Sequence, residues 1–124
     1  MMEAMTVSVL VVDDDPAFRR LARRILEAPG LAVAGEADTA ASAIDAADTL
    51  RPDAVLVDVG LPDLDGIALA GELAARPWRP RVVLTSTNAE AATAGEVRAS
   101  GAAAFVPKCD LPTAALADLL RPQT

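Results

Sequence analysis

The feature that most restricts the fold of this chain is a fivefold alternation of short apolar runs with stretches of helical periodicity. Residues 7–12 open it, rich in valine and ending abruptly at Asp13, Asp14 and Asp15, as a buried strand does when it emerges into a polar loop. Asp15 followed by Pro16 predicts a helix start, because a capping carboxylate precedes a proline whose fixed φ suits the first turn. Phe18, Leu21, Ala22, Ile25 and Leu26 then recur at helical spacing as the predicted inward stripe. Arg19, Arg20, Arg23 and Arg24 fall on the other side and read as a solvated face, until Pro29 and Gly30 stop the helix. The same grammar predicts strands at 31–35, 54–57, 82–85 and 103–106, and helices at 40–50, 67–75, 90–100 and 113–120.

Strands alternating with helices of this length require a parallel sheet covered on both faces, since right-handed crossovers place the helices there. The predicted class is therefore α/β and doubly wound, one domain over 1–124 with a short disordered tail at about 121–124. In open sheets of this kind ligands bind beyond the carboxyl ends of the strands. The loops at those ends carry the unusual residues: Asp13 and Asp14 after the first strand, Asp58 after the third, Thr85 closing the fourth and Lys108 just past the fifth.

Composition narrows the function. A net charge of −7 repels phosphate backbones, and no basic tail offsets it, so direct nucleic-acid binding is disfavoured. One cysteine, Cys109, cannot close an internal disulfide, and the chain holds no histidine to activate it as a catalytic thiol. No secretory leader precedes the first strand and no apolar run is long enough to span a bilayer, which predicts a cytoplasmic protein without membrane contact. Trp78, in a proline-flanked loop, reads either as a partner surface or as packing over the sheet edge.

Three carboxylates brought together at strand ends repel one another unless a hard cation or bound protons relieve them, and Mg2+ is the natural guest of a small acidic pocket open to solvent. A carboxylate can also act as a nucleophile toward phosphorus when neighbouring cations neutralise the developing charge. Asp58, on the central strand, is the candidate phosphoacceptor. Lys108 would present a point charge to phosphate oxygens, and Thr85 a hydroxyl donor.

At this point the sequence resembles the response-regulator receiver domains of two-component signalling, of which the stand-alone chemotaxis regulator is the type. The matching segments run from Val11 through Asp13-Asp14-Asp15 to Pro16, from Pro52 through Asp58 and Leu61-Pro62 to Asp65-Gly66, from Val82 to Thr85-Ser86, and from Gly101 through Phe105 to Lys108. The resemblance spans nearly the whole chain and implies a flavodoxin-like (βα)5 domain with strand order 2-1-3-4-5. It implies Asp58 as the phosphorylation site, Asp14 as a direct Mg2+ ligand, Asp13 as a ligand through water and Gly60 as the backbone carbonyl ligand. Thr85 and Lys108 would read the phosphoryl group, and Phe105 holds the place of the aromatic switch that remodels an output surface. Implied partners are a sensor histidine kinase or phosphotransfer protein and a downstream protein effector, with phosphorylation-dependent dimerisation open. The chain departs from the family pattern where Pro107 precedes Lys108 and Cys109 follows it; members often place a proline after the lysine. A strand proline is best tolerated at a sheet edge, and the fifth strand is predicted to be one.

Other readings compete. The chain can be a receiver cut from a longer DNA-binding regulator, or an inactive pseudo-receiver serving as an interaction module. A phosphatase with an aspartyl-phosphate intermediate needs a second acid two residues after the nucleophile, where Gly60 stands. A flavin carrier of similar topology would need aromatics to stack the ring, and the chain has no Tyr and a single Trp. The expectation is a switch rather than an enzyme of turnover.

Overall fold

The structure, a computed structural model, describes residues 6–111 and 116–121. Along the chain it forms β1 (Ser8–Val12), α1 (Pro16–Glu27), β2 (Ala32–Ala37), α2 (Ala40–Leu50), β3 (Ala54–Asp58), α3 (Gly66–Ala74), β4 (Arg81–Ser86), α4 (Ala94–Ser100), β5 (Ala104–Pro107), a 3-10 turn at Lys108–Asp110 and α5 (Leu116–Leu120). The five strands make one parallel sheet in the order β2-β1-β3-β4-β5. This is the doubly wound, flavodoxin-like order that the alternation and the family resemblance predicted.

The two faces of the sheet carry separate cores. In β3 every residue is buried, with Val55 and Val57 facing one cluster and Ala54 and Leu56 the other, as the two-residue period of a strand requires. Ala43 and Ala47 of α2, Leu69 and Leu73 of α3 and Val97 of α4 cover the first face. Phe18, Ala22 and Leu26 of α1 with Leu116 and Leu120 of α5 cover the second. Leu56 is only 1% exposed, so truncating it to alanine would cost about 2–5 kcal/mol through lost burial and an unfilled cavity.

Several boundaries and faces differ from the sequence prediction, each for a local reason. α4 starts at Ala94 rather than at 90, because Thr93 accepts from the Glu96 N–H while the Glu96 side chain accepts from the Thr93 N–H. Ahead of it, Asn88 forms a side-chain turn, taking the Glu90 N–H at 2.9 Å. Leu21, predicted to face inward, is 49% exposed; the buried stripe of α1 is Phe18, Ala22 and Leu26. The arginine face of α1 is not merely solvated, since Arg19 and Arg23 both bind Glu36 of β2, at 2.9 and 2.8 Å. Trp78 packs against the core and donates its indole N–H to the Pro52 carbonyl at 3.0 Å, which gives it a structural role beside the start of the central strand β3 rather than at a sheet edge.

β5 is an edge strand, and Pro107 sits opposite Ser86 at its end, where no further strand needs its missing N–H. The predicted start of the last helix at 113 lies outside the described residues, as does most of the predicted tail. Arg121, the first residue of that tail, is held by its N–H to the Ala117 carbonyl at 3.0 Å. No described helix is long and apolar enough to cross a membrane.

Candidate functional site

The three successive acids after β1 are separated by the local backbone. The Asp13 N–H extends the sheet ladder to the Ala37 carbonyl at 3.0 Å, which carries its side chain into the interior, fully buried, while Asp14 turns outward to solvent. Asp15 caps α1 by accepting the Ala17 N–H at 2.9 Å and gives its own N–H to Asp13 Oδ1 at 2.9 Å. Arg19 donates to the Asp13 carbonyl at 2.7 Å, tying the loop to the helix that follows.

Asp58 is the last residue of β3, in register with Thr85 of β4 and 7% exposed. The chain turns sharply beyond it: the Val59 N–H reaches the Thr85 carbonyl at 2.9 Å, and the Gly66 N–H returns to the Val59 carbonyl at 2.8 Å. A Cβ on Gly66 would lie 2.2 Å from the Asp58 carbonyl oxygen, so only glycine lets α3 begin this close to the strand end. Asp63, in the same turn, accepts the Ala40 and Ala41 N–H groups at 2.8 and 3.1 Å. These bonds to the first turn of α2 hold its carboxyl below the ordinary aspartate value and anchor the loop that carries Gly60.

Asp13, Asp14 and Asp58 can each offer a carboxylate oxygen within 4.8 Å of the others. Facing them is Lys108, just beyond β5, with its ammonium 2.7 Å from Asp13 Oδ2, 3.8 Å from Asp58 Oδ1 and 4.1 Å from the centre of the Phe18 ring. Burial and then the negative charge of Asp13 push the Asp58 carboxyl above its ordinary value. Lys108 and the Gly60 backbone N–H pull part of the way back, and Asp14 adds to the rise. Three carboxylates against one ammonium leave the cluster short of positive charge. An all-oxygen donor set of this kind, partly open to solvent, fits a hard divalent cation such as Mg2+.

The sequence-predicted residues thus divide. Asp13, Asp14, Asp58 and Lys108 converge on one point. Thr85 is alongside but turned away, its buried hydroxyl donating to the Val106 carbonyl of β5 at 2.7 Å. Gly60 is exposed, and its missing Cβ would be 3.9 Å from Asp58 Oδ2. Phe105 is half-buried and lines a cavity of about 360 Å3 with Val97, Arg98 and Ala103. Sequence reasoning missed Phe18, which it assigned only to the core, and Asp63; an aromatic on the inward stripe one turn beyond the acids was the available signal for the first.

A doubly wound sheet with acids and a lysine gathered where its strands end defines a class of α/β switch and nucleotide- or phosphate-handling domains. Within that class, residues 9–119 match the response regulator receiver domain model, and the chain belongs to that family, the receiver domains of two-component systems. It is 41% identical over 106 residues to a protein-glutamate methylesterase/protein-glutamine glutaminase of Pseudoalteromonas atlantica, a match covering 84% of this chain and 28% of that protein. The chain therefore spans little more than a quarter of the length of the methylesterases it matches. Among solved structures, a LuxR-family two-component response regulator from an Aurantimonas species is similar at TM-score 0.80 and 30% identity, over 93% of this chain and 86% of that one. The response regulator domain of Thermotoga maritima CheB is similar at TM-score 0.75 and 28% identity, over 92% and 87%.

Proposed function

We propose that residues 1–124 form a single receiver domain in which Asp58 accepts a phosphoryl group from a histidine kinase or phosphotransfer protein. The observation that carries this reading is the setting of Asp58: buried at the end of the central strand, close to two further carboxylates and to one ammonium. Asp13, Asp14 and Asp58, with the Gly60 carbonyl, are the groups that would hold Mg2+, which when bound supplies positive charge to the phosphoryl oxygens. An Asp58 oxygen attacks phosphorus, the P–N bond to the donor histidine breaks, and the imidazole leaves with the electron pair and takes up a proton. Lys108, already within 3.8 Å of Asp58, offers its ammonium to the phosphoryl oxygens. Thr85 would exchange its Val106 partner for the new anion, and Phe105 would follow into the adjoining cavity, altering a protein-binding surface. The domain performs no turnover chemistry beyond gain and loss of its own phosphoryl group, works in the cytoplasm and does not itself bind nucleic acid.

A second reading concerns context rather than chemistry: the segment acts as the input half of a longer regulator. The much greater length of the methylesterases it matches favours it, so the effector is either a separate protein or a covalently attached output domain.

Acetyl phosphate, or beryllofluoride, with Mg2+ tests the proposal. Amide signals around Thr85, Phe105 and Lys108 should shift in the wild type and stay unchanged in Asp58→Asn. A wild-type spectrum indifferent to both reagents would leave an inactive pseudo-receiver that acts only as an interaction module.

A further inference from the structure

Lys108 is the only lysine in the sequence; the other ten basic residues are arginines. Its ammonium stands closer to Asp13 than to Asp58, 2.7 against 3.8 Å, and lies 4.1 Å from the centre of the Phe18 ring. Phe18 is 8% exposed and belongs to the core under α1, so its ring cannot swing away to solvent. A cation over an aromatic face is attracted by the ring quadrupole, more strongly where water is excluded, and the Lys108 side chain is only 16% exposed. Where it stands, the ammonium therefore has two close attractions at once, the Asp13 ion pair and the Phe18 ring, against one longer contact to Asp58.

We infer that Phe18 is a positioning residue that parks the Lys108 ammonium on Asp13, making Lys108 a built-in cation that an arriving divalent ion must displace. The inference rests on the reading of Asp13, Asp14 and Asp58 as the cation site. A divalent ion that takes up the Asp13 carboxylate brings two positive charges beside the ammonium, and Lys108 must withdraw against the pull of the ring. Phe18 thus sets the threshold for Mg2+ entry without touching the metal or the phosphoryl group. Once released from Asp13, the same ammonium is free to move toward Asp58, so uptake of the ion and delivery of Lys108 to the acceptor are one event.

The single lysine makes the idea directly observable. In protein labelled with 13C at the lysine ε position, the metal-free wild type should show Lys108 Hε signals shifted upfield by the ring, moving to the ordinary lysine position as Mg2+ is added. Phe18→Leu, which keeps the site apolar, should lose the upfield shift and bind Mg2+ about threefold to tenfold more tightly. Trifluorophenylalanine introduced at position 18 keeps the ring's shape and packing while weakening its attraction for cations. Its Mg2+ affinity should fall between those of wild type and Phe18→Leu, with unfolding in urea close to wild type. Equal or weaker Mg2+ binding in both variants, or a Lys108 signal without an upfield shift in metal-free wild type, overturns the inference while leaving the cation site intact. A wild type that takes up neither Mg2+ nor beryllofluoride overturns the underlying reading, and this inference with it.

Discussion

Two aspartates bracket the five-residue strand β3, and the fold treats them in opposite ways. Asp53, just before it, accepts the Ser8 N–H at 2.9 Å and the Ser8 hydroxyl at 3.3 Å, and returns its own N–H to Ser8 Oγ at 3.1 Å. This closes the starts of β1 and β3 against each other in contact with water. Asp58, at the other end, is buried beside Asp13 and Asp14, and its ordinary ionised state is disfavoured. Residue type and strand are the same, so the contrast comes from what the topology brings alongside. At one pole an acid meets donors and contributes stability. At the other it meets acids, and the unmatched charge is what the proposed cation site and phosphoacceptor would draw on.

The largest effect should come from crowding the Asp58 end. Gly66→Ala would place a methyl 2.2 Å from the Asp58 carbonyl oxygen and 2.7 Å from Val59 Cα, both backbone atoms that cannot rotate aside. We expect a loss of about 2–4 kcal/mol in urea unfolding, together with loss of phosphorylation by acetyl phosphate, because the strand end itself must move. Gly60→Ala is the control: with the nearest atom at 3.9 Å it should leave stability almost unchanged. Equal stabilities for the two variants would mean that the functional end of β3 has room to spare, and the contrast with the Asp53 end would lose its steric half.

Much of this was legible in the sequence, and the remainder was not for identifiable reasons. The doubly wound class followed from alternation and the sheet order from the family resemblance, and the predicted bounds of α2 coincide with the observed ones, where Ala40, Ala43 and Ala47 form the buried stripe behind a Thr39 cap. The start of α4 falls four residues later than predicted because the reciprocal Thr93–Glu96 bonds set it, and apolar spacing alone does not reveal such a pair. Leu21 was misplaced because helical spacing gives a stripe but not its width. Convergence of Asp13, Asp14, Asp58 and Lys108 was foreseeable from their places at strand ends. That Lys108 rests on Asp13 and Phe18, that Arg19 and Arg23 reach Glu36, and that Asp63 crosses to α2 depends on side-chain reach between elements. One-dimensional spacing does not encode those distances.

A second test isolates the electrostatic half of the comparison. Asp58→Asn keeps the shape and removes the charge. An acid whose folded pKa is raised holds its proton more tightly in the native state than in the unfolded one. Its contribution to stability is therefore present when it is protonated and is lost as pH rises from the ordinary aspartate value through the raised native one. Without Mg2+ at pH 7, the asparagine variant should be more stable than wild type by about 1–2 kcal/mol. The advantage should shrink as pH falls through the carboxylate range and vanish below about pH 4. Glu36, held low by its hydrogen bond to Arg23, has the opposite slope, stabilising above its ordinary value and losing that contribution in acid; it is common to both proteins and cancels in the difference. Saturating Mg2+ should stabilise the wild type alone and narrow the gap. A difference that does not vary with pH would show that Asp58 carries no electrostatic penalty in the native state.

The smallest effect belongs to the satisfied end. Asp53→Ala removes the acceptor of the Ser8 N–H, but the site is exposed and water can replace the carboxylate, so the cost should be about 0.5–1 kcal/mol and phosphorylation should be unaffected. The double variant with Asp58→Asn then measures whether the two poles are independent. Five residues of strand separate them by roughly 16 Å at about 3.3 Å per residue. Effects at that distance with no shared partner add within about 0.5 kcal/mol. A larger coupling would mean that strain at the Asp58 end is transmitted along β3 to the Ser8–Asp53 closure. The strand would then be a mechanical link between its poles rather than a rigid spacer that keeps them apart.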